Sequence, residues 1–293
     1  MLLEQWAWGK ASSPFVQQVA AAAKADGLEH AEIAALAKLG GSGKYPGNCH
    51  RDLVRLVNPT QITESISNHQ VVLLSAKKNA VEVETSLVLP HELFAALWTD
   101  HKEKFAEVLN PDKCLQFWEA MEGCPAYTSR PGIAEHKAHT IPLGIFGDAV
   151  AYVRVKASGS RSMEGLAWHS LLSKEVTKSS MFLIGALPKH VVKRDGFAAS
   201  WTRLWRILAW SLTALLEGNW PAVDYRGHEF EPSSLPHARA GKELAGGWRA
   251  AVWAIQGDLE WFQQQYGLNN PNNNAPCCLC RADRGQDSKD ATK

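Results

Sequence analysis

The sequence has no apolar run long enough to cross a bilayer. The longest, MFLIGAL from Met181 to Leu187, falls far short of the ~20 residues a spanning helix needs, so no membrane partner is expected. Nor is there an excess of one charge: 31 Lys and Arg against 30 Asp and Glu leave +1. Bulk electrostatics therefore give no argument for a nucleic-acid partner, which would have to meet a local patch. The opening MLLEQWAWGK lacks a basic stretch followed by an apolar segment, and no secretory signal is read there. Cysteine is sparse and uneven: Cys49, Cys114 and Cys124 stand alone, whereas Cys277, Cys278 and Cys280 cluster. An oxidised scaffold spreads paired cysteines through a short chain, so this pattern reads as a reducing, intracellular compartment. The histidines form no H-E-x-x-H pair, the serines no G-x-S-x-G elbow, and no internal repeat is found.

What is present is globular. Hydrophobic residues make up 45% and charged residues 21%, which excludes a mostly disordered chain, a collagen and a coiled coil. A length of 293 residues allows one large or two ordinary domains. Twelve tryptophans predict bulky core and groove packing but identify no ligand.

The pattern along the chain predicts a mixed α/β fold: a helical region over 1–135, then a mixed-sheet domain over 139–282, then a charged tail over 283–293 read as disordered. Helices are predicted over Phe15–Ala25, Leu28–Leu39 and Arg51–Val57, with a second helical block from Pro90 to about Ala120. In that block Phe94, Leu97, Trp98, Phe105 and Val108 read as one packed face. Residues 58–83 look polar apart from a possible strand at Val71–Ser75. Ile141–Val155, Glu164–Ser173 and Ser180–Leu187 read as three successive antiparallel strands with short connections. A long helix follows from an Asp195 cap to Glu217, ended by Gly218. Trp248–Asp258 fits a buried strand or a helix, and Leu259–Tyr266 a helix.

Four candidate sites arise. GGSGKYPGN at Gly40–Asn48 resembles a phosphate loop only loosely, because Lys38 and Tyr45 occupy positions where that motif needs Gly and Ser or Thr. A helix-ending glycine turn is the better reading. Cys277 and Cys280 form a C-x-x-C pair, half of a tetrahedral Zn²⁺ site whose other ligands must come from elsewhere; a pair without metal is the equal alternative. Lys189, Lys193, Arg194, Arg203 and Arg206 could meet a phosphate backbone, although such runs are usually a solvated face. The sharpest candidate is Asp148 with Asp258. Asp148 lies in an apolar strand, where a carboxylate needs partners, and Asp258 opens the helix DLEWF, where capping is the sound structural alternative. In an RNase H-like sheet the first and fourth strands are neighbours, which would bring the two acids together. Oxygen ligands so placed suit Mg²⁺ or Mn²⁺ and phosphoryl transfer, typically with two ions about 3.5–4 Å apart.

The ordered set IPLGIFGDAV, GLAWHSLLS, GWRAAVWAIQGDLEWF and APCCLC resembles the central part of CACTA-type transposon-derived proteins. ALAKLGGSGKYPGNCHRDLVRL and LPHELFAAL also resemble segments of a large family of unicellular algal proteins that carries the same central block and brings no established activity. The transposase resemblance implies an RNase H-like core with two aspartates and a glutamate holding Mg²⁺, with Asp148 and Asp258 as the catalytic aspartates. It also implies Cys277 and Cys280 as half of a zinc site, a DNA partner, and an intracellular, nuclear location. The pattern departs in two ways. The 35 residues after Asp258 contain one glutamate, Glu260, only two positions on and so directed to a different helix face, and the histidines that complete the zinc site are missing. The expectation is a C-terminally truncated transposase-like protein that lacks autonomous DNA cleavage. The alternative is a non-catalytic binding or scaffold protein, with a zinc-stabilised nucleic-acid-binding role as a further possibility.

Overall fold

The computed structural model describes residues 2–7, 10–57, 66–128, 131–155, 159–193, 199–266 and 268. The chain forms two compact units, Met1–Thr63 and Glu64–Lys293.

The first unit contains α1 (Leu2–Ala7), α2 (Ser13–Ala25), α3 (Ala31–Ala37) and α4 (Cys49–Val57). Ser12 caps α2 by accepting from the Phe15 N–H, and Pro14 occupies the first turn, where a missing N–H costs nothing. Val16 and Ala20 of α2 meet Leu36, Leu39, Cys49 and Leu53 in a small core. The glycine segment between α3 and α4 is a tight turn. Gly40, Gly41 and Gly43 adopt φ of +57°, +61° and +84°, a region that side chains disfavour. A Cβ on Gly40 would lie 2.6 Å from Cys49 Sγ, and its N–H donates to Asp52 Oδ2 at 3.2 Å.

The second unit opens with a hairpin of β1 (Ile66–Leu74) and β2 (Ala80–Val88), paired antiparallel. Then come α5 (Pro90–Asp100), α6 (Lys102–Leu109) and α7 (Cys114–Met121). The predicted single block from Pro90 to Ala120 is thus divided. Asn110 takes φ +49° at the end of α6, its Nδ2 donates to the Leu172 carbonyl at 2.8 Å, and Pro111 follows. The predicted apolar face holds, with Phe94, Leu97, Phe105 and Val108 buried.

The main sheet comprises β3 (Thr140–Val155), β4 (Gly159–Ser170), β5 (Met181–Pro188) and β6 (Arg249–Gly257), in the order β5-β4-β3-β6. β3, β4 and β5 form the predicted antiparallel series, whereas β6 lies parallel to β3. The first and fourth strands of this sheet are therefore neighbours, the arrangement expected of an RNase H-like sheet. A parallel partner needs a long crossover, supplied by the segment containing α8 (Ser200–Glu217). Gly218, at φ +75°, ends α8 as expected. Its N-terminus begins later than predicted: the cap is Ala199, and Asp195 falls outside the described residues. The Trp248–Asp258 segment forms strand β6, and α9 (Leu235–Arg239) and α10 (Leu259–Tyr266) also belong to the unit.

The chain divides into its compact units at 63/64. The hairpin lies inside the region expected to be helical, and α5–α7 share one core with the sheet. Phe94, Phe105 and Trp118 join Ile141, Ile145 and Trp168 in a single cluster. The Trp118 indole N–H donates to the Thr140 carbonyl at 2.6 Å, which ties α7 to the first residue of β3. None of the helices among the described residues is long and apolar enough to cross a membrane.

Candidate functional site

Asp148 and Asp258 stand at the same end of the parallel β3–β6 pair. Gly147 pairs with Gly257, so Asp148 continues β3 and Asp258 is the first residue past the end of β6. Each carboxylate then bonds a backbone N–H of its own segment, and Trp261 of α10 packs beside both segments. This indole is 2% exposed and lies against both glycines. A Cβ on Gly147 would sit 2.0 Å from its Cε2, and one on Gly257 2.6 Å from its Cε3. The two Gly-Asp steps in the sequence are thus a seat for an indole.

Ala149 and Ala151 share the face of Gly147 by strand alternation. They line a small cavity of about 230 Å³ together with Asp258, Glu260 and Trp261. Asp148, between Gly147 and Ala149, is directed to the opposite face, and its Oδ1 accepts from the Ala149 N–H at 2.6 Å. Asp258 Oδ1 accepts from the Trp261 N–H at 2.6 Å. That bond caps α10, the structural use weighed for DLEWF in the sequence. Glu260 accepts from Lys189 at 3.1 Å and from Gln264 at 2.7 Å.

A centre for Mg²⁺ or Mn²⁺ needs several oxygens converging on one point. Among the described residues no group of three or more His, Cys, Asp or Glu side chains is placed to hold a metal ion. Cys277 and Cys280, the proposed zinc ligands, lie outside the described residues. Of the predicted cations, Lys189 is paired with Glu260, and Arg203 with Glu82 at 3.0 Å. Arg203 and Arg206 line an open surface hollow with Arg226 and Tyr225, and Arg194 lies outside the described residues.

Two consequences are measurable. Gly147→Val should cost about 1–3 kcal/mol or more in urea unfolding, since the new side chain must displace a buried indole. Asp258→Ala should cost roughly 1 kcal/mol, whereas Asp258→Asn, which still caps, should stay close to the native value. Equal losses in both variants would contradict the capping role.

Sequence reading missed an acid at the centre of the sheet. Glu164 of β4 pairs with Ala149, is fully buried, and accepts from the Trp201 indole N–H of α8 at 2.7 Å. The available signal was parity, because Glu164, Leu166, Trp168 and Ser170 alternate along β4 and all are buried. His169, on the other face, meets Gln256 through Nε2 and Oε1 at 2.7 Å.

A second cluster of titratable groups, also missed, begins at α5. His91 is 2% exposed, and its Nδ1 lies 2.8 Å from Ser211 Oγ of α8. Burial holds its imidazole neutral, with the pKa pushed down to about 3. The adjacent Glu92 carboxyl is pushed up to about 7 by desolvation, against the smaller lowering effects of a Ser67 hydrogen bond and Arg239. Its Oε2 is buried without a hydrogen-bond partner.

Compared with family models, curated proteins and solved structures, the chain matches none.

Proposed function

We propose that this chain is a transposase-derived protein with an RNase H-like sheet that binds rather than cleaves, with DNA as the partner its sequence resemblance implies. The observation that carries the reading is the β3–β6 pairing, with Asp148 and Asp258 side by side in the backbone and each carboxylate bonded to a backbone N–H of its own segment. The strand order supports descent from the nuclease architecture. The Trp261 indole on Gly147 and Gly257 supports the loss of cleavage, since a bulky apolar group fills the face toward which Asp258 turns. Phosphodiester transfer by divalent ions needs clustered oxygen ligands on one face.

The test is nicking of supercoiled plasmid by the purified full chain with Mg²⁺ or Mn²⁺. The proposal expects no cleavage above a metal-free control. Cleavage that disappears in Asp148→Ala would overturn it. The binding half is read separately: retention of a DNA duplex that weakens with rising salt supports a DNA partner, and no retention at low salt removes it. A scaffold role unrelated to DNA is the second reading. It is favoured by a cavity lined in part by Trp210 and Trp220, separate from the hollow that Asp258 lines.

A further inference from the structure

An open hollow of about 560 Å³ lies where α8, β2 and the turn after Val223 come together, walled by Glu82, Arg203, Arg206, Tyr225 and Arg226. We propose that it binds a phosphate dianion, carried free or as the terminal group of a monoester, with Arg206 and Arg226 as its main donors. The inference does not rest on the transposase reading, which implies a diester backbone.

Three guanidiniums reach this space from two firmly held elements. Arg203 and Arg206 stand three positions apart on α8 and so share one helix face. Arg226 comes from the turn at 224–227, which its own residues lock. Asp224 Oδ1 accepts from the backbone N–H groups of Arg226 and His228, both at 2.8 Å, and Gly227 turns the chain at φ +87°. Tyr225 fixes the Arg226 side chain: its hydroxyl accepts from Nε at 2.9 Å, and its ring centroid is 5.3 Å from the guanidinium. That ring is braced in turn by His69 of β1, edge-on at 5.6 Å. With Nε engaged, the terminal nitrogens of Arg226 are left to donate to a ligand.

The wall itself chooses the ligand. It holds one carboxylate for three guanidiniums: Glu82 accepts from Arg203 at 3.0 Å. Arg206 has no hydrogen-bond or ion-pair partner among the described residues. Counting Asp224, whose Oδ1 serves the turn, still leaves the place positive. Guanidinium groups only donate, which excludes a cation and asks for acceptors. A carboxylate is planar and is satisfied by one guanidinium fork. A phosphoryl group has three acceptor oxygens in different directions and takes forks from separate arginines. A monoester also carries a charge of about −1.5 to −2 near neutral pH, more than the single charge of a diester. Donor number and charge thus select the same group, and the hollow leaves room for an ester substituent beside Tyr225.

The experiment titrates the full chain by calorimetry, at fixed salt, with phenyl phosphate, inorganic phosphate, diphenyl phosphate and benzoate. Phenyl phosphate should bind saturably, and about tenfold or more tighter than diphenyl phosphate or benzoate, the worth of one charge-assisted hydrogen bond. Inorganic phosphate that matches phenyl phosphate would identify the free ion as the source, and a tighter ester would identify the monoester. Arg206→Gln should weaken phenyl phosphate by about the same factor with its melting temperature kept, because this exposed side chain holds nothing in the fold. Arg206→Lys, which keeps the charge and loses the fork, should recover only part of the binding. Glu82→Gln should bind severalfold tighter, because it frees Arg203 and removes the wall's one negative charge. Lys24→Gln, an exposed change in the first unit, takes the same charge from the chain and should leave binding unaltered. The proposal is overturned by any of three results: no saturable binding of phenyl phosphate, equal binding of the diester or benzoate, or equal losses in Lys24→Gln and Arg206→Gln.

Discussion

Between pH 7 and pH 4 the native chain is expected to lose about 3 kcal/mol more stability than His91→Gln. The imidazole is buried between α5 and α8, and burial pushes its pKa from 6.5 to about 3. In the unfolded chain the same group takes a proton near its ordinary value. Below that value the unfolded state binds more protons, so stability falls as the pH drops toward about 3. Glu92 has the opposite sign. Its folded pKa is raised from 4.5 to about 7, so the folded state holds the proton longer and stability falls as the pH rises through that window. The groups facing this pair are Ser67 and His69 of β1 and Arg239 of α9. From pH 4.5 to 6.5 the two effects oppose each other; below that range His91 acts alone. Urea unfolding at a series of pH values reads the difference directly. Parallel curves for the native chain and His91→Gln would show that His91 carries no titration cost.

Trp118→Ala should cost about 3–5 kcal/mol, the usual range for emptying a large aromatic site in a core. Trp118 is fully buried, makes edge contacts with Phe117 and Trp253 at centroid distances of 5.0 and 5.3 Å, and bonds the Thr140 carbonyl. Trp118→Phe keeps much of the ring and loses the hydrogen bond, so its loss should be smaller, about 1–2 kcal/mol. Because this side chain joins α7 to the sheet, both variants should still unfold in one transition for residues 64–293. A separate early transition for the helices of 90–121 would contradict the single core and restore a boundary near 135.

Much of the sheet was legible because its strands announce themselves. Ile141–Val155 and Ser180–Leu187 are rich in β-branched and aliphatic residues between turn signals, and the structure places β3 and β5 there. The cap at Asp258 was legible as well, since an aspartate before an amphipathic run has a direct local use. The second hairpin strand was not. In AVEVETSLV the apolar Val81 and Val83 are exposed and only Leu87 is fully buried, so its charged alternation resembles a loop until β1 pairs with it. The fate of Asp148 and Asp258 was half legible. Strand order gives their backbone adjacency, but the indole that occupies Gly147 and Gly257 arrives only when α10 docks on the sheet. The His91–Ser211 contact joins residues 120 positions apart, and no local pattern encodes such a pairing. Neither LPHELF nor the WSL step of α8 carries a mark of it.

In the proposed reading Asp148 and Asp258 serve the backbone and do not share a divalent ion. Its most direct measurement is Mn²⁺ binding to the full chain, compared with Asp148→Asn and Asp258→Asn, alongside the melting temperature with and without the ion. The account predicts no saturable binding that either substitution removes, and no shift in melting temperature on adding Mn²⁺. Stoichiometric binding abolished by both substitutions would contradict it.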